Sequence, residues 1–504
     1  MDRTSIQSAW RVEEVRGFST LGARLSALSG AFVSDRAAVF AARSRLRDEA
    51  EFGPAHVIFP QGMERNVRDM QSVLRSHDVC HRILFAHKPT KSPAFVREAH
   101  ALGLGIDVAS AEELRSALDA GFRRTEIECT GAKAERFLEL AIAHGCLLSV
   151  DSIPELERII ALRKRMDASE TTELLLRVTD LDIPGRKFVG RPSRFGIRQC
   201  DLPHAYAVLA NHPELHLQGF HVHSDKRTGA DRAAQLEALI EILRGAYHLG
   251  FTPTVLNIGG GFRRAQFDAP GTWESFIGGL EERLVGGESL PTWGAFTYGL
   301  RLNDAGKIVA RGKAMAVGEW TDFADVLEEM LTSRSMTGER VIDFLRDNEI
   351  TLMLEPGYAL LENCGMSLFD VIETKVGGGG HEFIVLDGNF MNVAAQYRDV
   401  VVDPIHIPRY PNDGGEPCEA FLVGTVCREE DLFMRRKVSF RSRPLPSDCV
   451  CFPNTAAYRM DFEDSSPHQH PRGKRIVAVS TESGWHFQAE QQYRPSHHLG
   501  EHIQ

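Results

Sequence analysis

The 504-residue sequence lacks the features that mark several large classes of protein. It has only nine cysteines, an odd number, and none forms a Cys-x-x-Cys pair, which argues against a disulfide scaffold and against a cysteine-rich zinc site. No apolar run approaches the ~20 residues of a membrane-spanning helix, and residues 1–17 carry charges where a signal peptide has an apolar core. The formal net charge of −11 contains no long block of one sign that would attract nucleic acid or a membrane surface. We therefore expect a cytoplasmic protein that acts on a small molecule.

An alternation of short apolar runs with amphipathic segments extends from about residue 63 to residue 360. The apolar run 83–86, for example, is followed by a helical pattern at 93–102, and the run 215–223 by one at 230–249. Strands that alternate with helices form a parallel sheet, and the length of this pattern favours a (β/α)8 barrel over an open doubly wound sheet. Functional side chains of such a barrel lie at the carboxyl ends of its strands.

The pattern changes after about residue 365 to short β-rich runs separated by glycine, proline and aspartate, which indicates a separate β domain. We expect an N-terminal segment over residues 1–62 that partly joins this domain, a barrel over 63–362 and the β domain over 363–504. The stretch 286–346 has weak periodicity, and we interpret it as an insertion in the barrel.

Two charged residues each follow an apolar run. Lys88 follows the run 83–86, where burying an ammonium is costly unless it is neutralised, as it is in a Schiff base. Glu355 follows the run 352–354, which places its carboxylate at the mouth of the barrel. A lysine is otherwise usually a solvated charge, and a glutamate in such a position is otherwise a helix or turn cap. Together they are the amine and the carboxylate that a pyridoxal phosphate requires.

Gly259, Gly260 and Gly261 also follow an apolar run, and they would let successive backbone N–H groups approach a phosphate. Glycine runs are more often simple turns, so this signal is weak alone. His223 ends another apolar run and offers a flat ring that can stack on a cofactor, although a histidine inside a strand is usually a satisfied core residue. In this order the groups indicate a site for pyridoxal 5'-phosphate.

Seven motifs occur in one chain order over roughly residues 54 to 460. They are Phe85-Ala86-His87-Lys88, Ile106-Asp107-Val108-Ala109-Ser110, Ser193-Arg194-Phe195-Gly196-Ile197, Asn257-Ile258-Gly259-Gly260-Gly261-Phe262, Glu355-Pro356-Gly357, Cys427 with Asp431, and Ala457-Tyr458. In these motifs the sequence resembles the fold-type III pyridoxal-phosphate decarboxylases, the family of diaminopimelate and ornithine decarboxylases. The resemblance implies an alanine racemase-like fold, a barrel with a C-terminal β domain. The cofactor-binding residues that it implies are Lys88, Asp107, His223, Gly259, Gly260, Gly261, Glu355, Gly357 and Tyr458.

Cys427 lies in the predicted β domain, far in sequence from the barrel, and on composition alone it would be a buried, inert cysteine. In the resembled family this position comes from the partner subunit and returns a proton to Cα after carbon dioxide leaves. The resemblance therefore implies a homodimer with shared active sites, in which Cys427 joins Lys88, His223 and Glu355 as the catalytic residues.

Three departures from the family concern substrate recognition. Tyr358 stands where relatives carry an arginine after Glu-Pro-Gly, and Gln396 stands where a second arginine is expected. Arg428 follows Cys427, where relatives carry an acidic residue that meets the distal ammonium of the substrate. If Arg428 faces the substrate, a free diamino acid is disfavoured and an acidic or acylated distal group fits better; if it faces solvent, this argument does not apply. The candidate substrate residues are thus Tyr358, Arg428 and Asp431.

We therefore expect a homodimeric pyridoxal-phosphate-dependent decarboxylase of an α-amino acid. An amino-acid racemase or epimerase on the same fold would need two acid–base groups on opposite faces of the ring, and the cysteine in Cys427-x-x-x-Asp431 argues against it. A catalytically silent homologue that acts as a binding partner is disfavoured because the lysine, glycines, glutamate and cysteine are all present. We expect no metal site, no nucleic-acid partner and no membrane contact.

Overall fold

The chain divides into two compact units in the computed structural model. The barrel unit comprises Met63–Arg264, Thr321–Leu360 and Arg494–Gln504, and the β unit comprises Met1–Gly62, Ala265–Trp320 and Leu361–Tyr493. Among the residues that the structure describes, no helix has the length and apolar character needed to cross a membrane. The described residues are 21–47, 53–182, 193–223, 228–310, 321–334, 338–395, 399–410, 415–463, 467–470 and 472–496.

The barrel unit contains, within the described ranges, a closed sheet of eight parallel strands. The strands are short, apolar and mostly buried, as expected for a parallel sheet that helices cover. This arrangement confirms the predicted (β/α)8 barrel. In order around the barrel the strands are His81–Ala86, Thr351–Leu354, Val255–Asn257, Leu215–His221, Thr172–Thr179, Leu147–Val150, Ile127–Cys129 and Gly105–Val108.

Helices alternate with these strands along the chain. Three of these helices are each preceded by a serine, namely Ser92, Ser110 or Ser152. The side chain of each serine accepts a hydrogen bond from a backbone N–H group in the first turn of the helix that follows, which satisfies a donor that the helix leaves unpaired. The two-residue strand Ile197–Arg198 extends the sheet beside one barrel strand. The helices of the barrel unit are Met63–Ser76, Pro93–Ala101, Ala111–Asp119, Glu135–Ala143, Ile153–Arg165, Leu202–Ala210, Gly229–His248, Phe323–Thr332 and Val341–Asp347.

The segment interpreted as an insertion, 286–346, is divided by the structure near residue 320. Its first part belongs to the β unit together with helix Thr272–Gly286, whose Trp273 and Phe276 share an apolar cluster with Tyr298. From Thr321 the chain is again part of the barrel unit. This part of the segment contains the regular helix Phe323–Thr332, and periodicity in a sequence carries no information about the unit on which a segment packs.

The β unit is built, in the part of the chain that the structure describes, around a nine-stranded mixed sheet. Strand Ala55–Ile58 lies within this sheet, where it pairs with Gly365–Val376 on one side and with Lys474–Thr481 on the other. The core holds stacked and edge-on phenylalanine rings, Phe369, Phe433 and Phe452. The other strands of the sheet are Glu382–Leu386, Ile405–Ile407, Cys418–Val423, Val438–Phe440, Cys449–Pro453 and Gly484–Gln488, and helices Ala27–Ser34 and Arg36–Arg47 also belong to this unit.

Candidate active site

Five predicted residues lie at the carboxyl ends of adjacent barrel strands. Lys88 follows one strand, and Asp107 lies in the neighbouring strand on one side. Glu355, Gly259 and His223 follow the next three strands on the other side, in that order. Because the strands are parallel, all five residues lie at the same mouth of the barrel.

Glu355 is buried at this mouth. The Asn257 side-chain amide donates to Glu355 Oε1 over 2.7 Å, and His223 Nδ1 lies 3.9 Å from Glu355 Oε2. Burial, and then the nearby carboxylate of Asp107, raise the pKa of Glu355 to about 8, although the charge of Lys88 opposes this shift. The glutamate thus holds a proton at neutral pH unless a cation is bound against it.

His223 is a neutral, half-buried ring beside this carboxyl group. Burial, then the charge of Lys88, lower the pKa of His223 to about 3. Its Nδ1 accepts a hydrogen bond of 3.3 Å from the Gly260 N–H, which fixes the ring against the glycine loop. A flat, uncharged ring held in this way is suited to stacking on an aromatic cofactor.

The glycines permit a close approach of three chain segments. A Cβ on Gly259, whose φ is +65°, would lie 2.6 Å from His223 Nδ1, and a Cβ on Gly260 would lie 2.5 Å from the Glu355 carbonyl oxygen. The Gly259 N–H, however, donates to Asn257 Oδ1, and the Gly260 N–H donates to His223. The predicted row of three phosphate donors is therefore reduced to Gly261, which is exposed and has a φ of +84°.

Arg232 supports this glycine loop from within the barrel unit. Its guanidinium donates to the Gly260 carbonyl oxygen over 2.8 Å and lies 4.1 Å from the centre of the Phe262 ring. The arginine is buried, and burial lowers its pKa to about 10.

Lys88 lies in a turn that the backbone fixes on two sides. The His87 N–H donates to the Asp107 carbonyl, and the Ala86 N–H donates to the Pro356 carbonyl. The lysine side chain is exposed. Its charge opposes the rise in the pKa values of Asp107 and Glu355 and adds to the fall in the pKa of His223, so the lysine lies near all three groups.

Asp107 and Gly357 lie on either side of this turn. The Thr130 hydroxyl donates to the Asp107 carboxylate, whose pKa is raised by burial. Gly357 is buried, and a Cβ there would lie 2.5 Å from Cγ of Pro89, so this proline requires the glycine.

A buried polar network beneath Glu355 was not predicted from the sequence. Asn257 donates 2.7 Å hydrogen bonds to both Glu128 and Glu355, and His221 Nδ1 lies 2.7 Å from the Ser149 hydroxyl. Burial, then Glu355, raise the pKa of Glu128, while burial lowers the pKa of His221. The available signals were a glutamate between two apolar residues of a short strand and an asparagine at a strand end.

Three of the other predicted site residues lie on one loop of the β unit. Cys427 and Arg428 are exposed on one loop, and Arg428 Nε lies 3.4 Å from a carboxylate oxygen of Glu430. Asp431 is buried and closes this loop, because its two oxygens accept the N–H groups of Phe390 and Val426 at 2.9 and 2.7 Å. Its carboxylate is thus engaged within its own unit, and the predicted contact with substrate stays a prediction.

Tyr458 and Tyr358 are both half-buried. Tyr458, in the β unit, has a left-handed backbone with a φ of +65°, and its ring centre lies 5.5 Å from that of Phe462. Tyr358, in the barrel unit, carries the guanidinium of Arg263 over its ring. The predicted roles of Tyr458 at the phosphate and of Cys427 in catalysis stay predictions, and Gln396 lies outside the described residues.

Residues 61–284 match the family model of the pyridoxal-binding domain of pyridoxal-dependent decarboxylases. The matched segment is therefore the pyridoxal-binding domain of a fold-type III pyridoxal-dependent decarboxylase. The decarboxylase is 26% identical over 435 residues to an uncharacterized protein of Sinorhizobium fredii, covering 86% of this chain and 89% of the relative. It is 24% identical over 371 residues to the diaminopimelate decarboxylase of Zymomonas mobilis, covering 70% and 71%.

Two further similarities are to a decarboxylase named for a substrate on an acyl-carrier protein and to a solved crystal structure. The decarboxylase is 23% identical over 391 residues to the decarboxylase of the L-glutamyl BtrI acyl-carrier protein from Niallia circulans, covering 74% of this chain and 77% of the relative. The crystal structure of diaminopimelate decarboxylase from M. jannaschii with L-lysine covers 87% of this chain and 89% of its own, with a TM-score of 0.65 and 16% identity. At that identity the match supports the fold alone.

Pyridoxal phosphate, the cofactor of this family, fits the residues of the decarboxylase. The buried Glu355 needs a cation before it can ionise, and a protonated ring nitrogen provides one. The neutral His223 ring, the exposed Lys88 amine and the exposed Gly261 are compatible with the ring, the aldehyde and the phosphate of this cofactor.

Proposed function

We propose that this enzyme releases carbon dioxide from an α-amino acid whose distal group is a carboxylate or an acyl linkage rather than a free ammonium. The observation that carries the substrate class is Arg428, which follows the exposed Cys427 and is 53% exposed itself. An arginine there repels a distal ammonium and attracts a carboxylate or the oxygen of an acyl group.

The barrel residues divide the work of the reaction. When bound, pyridoxal phosphate supplies an electrophilic carbon for amines and an electron sink for the bond that breaks at Cα. Lys88 is the exposed amine that would hold the cofactor and give way to the substrate amine. Glu355 would keep a proton at the ring nitrogen, and the neutral His223 would orient the ring.

A homodimer completes the site in this proposal. The partner subunit's Cys427 donates the proton to Cα after carbon dioxide has left, and Arg428 binds the distal group. In this chain both residues lie on an exposed loop whose shape is fixed by Asp431, which is compatible with a contact to a partner subunit. Asp431 then positions the loop and does not contact the substrate.

The decarboxylase of Niallia circulans supports an acylated substrate, because its name describes a glutamyl group carried on an acyl-carrier protein. The diaminopimelate decarboxylase of Zymomonas mobilis represents the alternative, a free amino acid with a charged distal end. The departures at Tyr358 and Arg428 favour the first class for this enzyme.

A direct screen tests the proposal. Purified enzyme loaded with pyridoxal phosphate is assayed for carbon dioxide release from L-glutamate, L-aspartate, the pantetheine thioester of the L-glutamate γ-carboxyl group, L-ornithine, L-lysine and meso-diaminopimelate. We expect carbon dioxide release from at least one of L-glutamate, L-aspartate and the glutamyl thioester, and little release from the three diamino acids. Efficient release from L-ornithine or L-lysine would refute the substrate class, and loss of optical activity without carbon dioxide would identify a racemase instead.

A further inference from the structure

Arg263 and Tyr358 form a stacked pair at the barrel mouth. The guanidinium carbon of Arg263 lies 3.9 Å from the centre of the Tyr358 ring. Arg263 comes two residues after Gly261, and Tyr358 directly follows Gly357. Because these two glycine loops follow neighbouring barrel strands, the pair places a guanidinium beside both loops.

The backbone of Arg263 is fixed, and the adjacent arginine serves another purpose. The Phe323 N–H donates to the Arg263 carbonyl oxygen over 2.8 Å. Arg264 is buried and is bound to the carboxylate of Asp69, and its guanidinium lies 4.6 Å from the centre of the Phe323 ring. Arg264 therefore connects this segment to helix Met63–Ser76 through Asp69, whereas Arg263 stacks on the Tyr358 ring.

Stacking on an aromatic ring suits an anion-binding arginine. It uses the face of the guanidinium, while the N–H donors lie in the guanidinium plane and remain oriented outward from the stack. A guanidinium held in this way loses less side-chain entropy when it binds an oxyanion.

Among the described residues, much of the hydrogen-bonding capacity of the glycine loop is already used. The N–H groups of Gly259 and Gly260 already donate to Asn257 and His223, and Arg232 is engaged with the Gly260 carbonyl. The loop thus offers an anion fewer backbone donors than its three glycines suggest. In the resembled family an arginine follows Glu-Pro-Gly, and here that position is a tyrosine.

We propose that Arg263, braced on Tyr358, binds an oxyanion at the barrel mouth in place of the arginine that relatives carry at position 358. The oxyanion is the phosphate of the cofactor or a carboxylate of the substrate, and both offer two acceptor oxygens for paired hydrogen bonds from a guanidinium. This inference rests on the proposed function, since it assigns a ligand-binding residue within the same site.

The first experiment tests the phosphate. Full-length apoenzyme is titrated with pyridoxal 5'-phosphate and with pyridoxal, which lacks the phosphate, and binding is read from the visible absorption. If Arg263 binds the phosphate, Arg263→Met weakens binding of the phosphorylated ligand about tenfold to a hundredfold and leaves pyridoxal unchanged. The second experiment tests the carboxylate: cofactor-loaded enzyme is titrated with L-glutamate and with L-norvaline, and Arg263→Met weakens only the L-glutamate response.

Matched variants separate a binding role from a folding role. Arg346→Met removes an exposed arginine from the last turn of helix Val341–Asp347. This turn comes just before a barrel strand begins, so Arg346 lies at the end of the barrel opposite the mouth. The variant should change neither titration. Tyr358→Phe keeps the stack and should resemble the wild type. The double variant Arg263→Met/Tyr358→Arg returns a guanidinium to the position that relatives use and should recover most of the lost affinity.

A selective loss in one titration supports the inference and identifies the oxyanion. If wild-type enzyme gives no response to L-glutamate, the phosphate titration alone decides. Affinities of Arg263→Met that equal those of the wild type for the ligands bound would overturn it. In that case the wild-type enzyme would still release carbon dioxide from an acidic or acylated amino acid. If instead the proposed function is wrong, the wild-type enzyme itself would not release carbon dioxide from these substrates.

Discussion

Replacing Glu355 with glutamine should stabilise the apoprotein at alkaline pH while removing most of the activity. Glu355 is buried with Asp107 nearby, and its pKa is about 8 in place of the ordinary 4.5. The folded state therefore binds a proton between these two values that the unfolded state has released. Stability falls as the pH rises through this window, because ionising the buried carboxyl is unfavourable.

The magnitude follows from the displacement of the pKa. A shift from 4.5 to about 8 corresponds to an order of 5 kcal/mol at roughly 1.4 kcal/mol per unit. The full loss in the free energy of unfolding is reached only above pH 8, where the folded protein has released the Glu355 proton. Glutamine has nearly the same shape, keeps an oxygen for the Asn257 amide and has no charge to bury, so Glu355→Gln should remove most of this pH dependence.

The assay is urea unfolding of wild-type and Glu355→Gln apoprotein at pH 6 and pH 9. We expect the variant to gain about 2 kcal/mol over the wild type at pH 6 and about 5 kcal/mol at pH 9, because the loss in the wild type begins at pH 4.5 and is complete above pH 8. Glu112→Gln, an exposed control on a barrel helix, should track the wild type. The loaded variant should release carbon dioxide about a thousandfold more slowly, since an ion pair in a water-excluded site contributes roughly 4 kcal/mol to the transition state. Equal pH dependence in variant and wild type, or wild-type turnover, would refute this reasoning.

Three further predictions concern the proposed division of the site. Lys88→Ala should abolish both the visible absorption of the bound cofactor and turnover; borohydride reduction that attaches the cofactor to another lysine contradicts it. Mixing inactive Lys88→Ala with inactive Cys427→Ala chains should restore part of the activity, and no recovery despite demonstrated subunit exchange would place both residues in one chain. Arg428→Ala should lower kcat/KM for the true substrate about 30-fold or more, and Arg428→Glu should admit L-ornithine or L-lysine; unchanged kinetics would mean that Arg428 faces solvent.

The barrel and its main site residues could be predicted because each depends on local sequence. An apolar run followed by an amphipathic segment predicts a strand and a helix, and parallel pairing then brings Lys88, His223 and Glu355 to one mouth. No knowledge of which strands are neighbours was needed for that step.

The polar network of Glu128, Asn257 and His221 depends on pairs far apart in the chain. A glutamate in an apolar strand is equally consistent with several buried arrangements until its partner is known. The same limit applies to Asp431, whose partners Phe390 and Val426 come from two segments.

The glycine loop shows how a correct motif led to an incomplete interpretation. Three glycines do allow backbone groups to approach an anion, and the positive φ values of Gly259 and Gly261 do require glycine. The same absence of side chains, however, lets His223 and Glu355 pack against the loop, and this packing engages the N–H group of Gly260. Only the structure distinguishes a glycine that serves a ligand from one that serves its neighbours.

The protonated Glu355 also predicts how cofactor affinity depends on pH. Below pH 8 the carboxyl group already carries the proton that the ring nitrogen requires. Formation of the ion pair between Glu355 and the ring nitrogen then takes up no proton from solvent. Above pH 8 that proton must be taken up, and affinity should fall up to tenfold per pH unit. The ligand and other protein groups titrate as well, but the ratio of wild-type to Glu355→Gln affinities cancels their contributions. We expect this ratio to be flat from pH 6 to 7.5 and to decline above pH 8.5; a ratio that stays constant to pH 10 would show that Glu355 does not supply the proton.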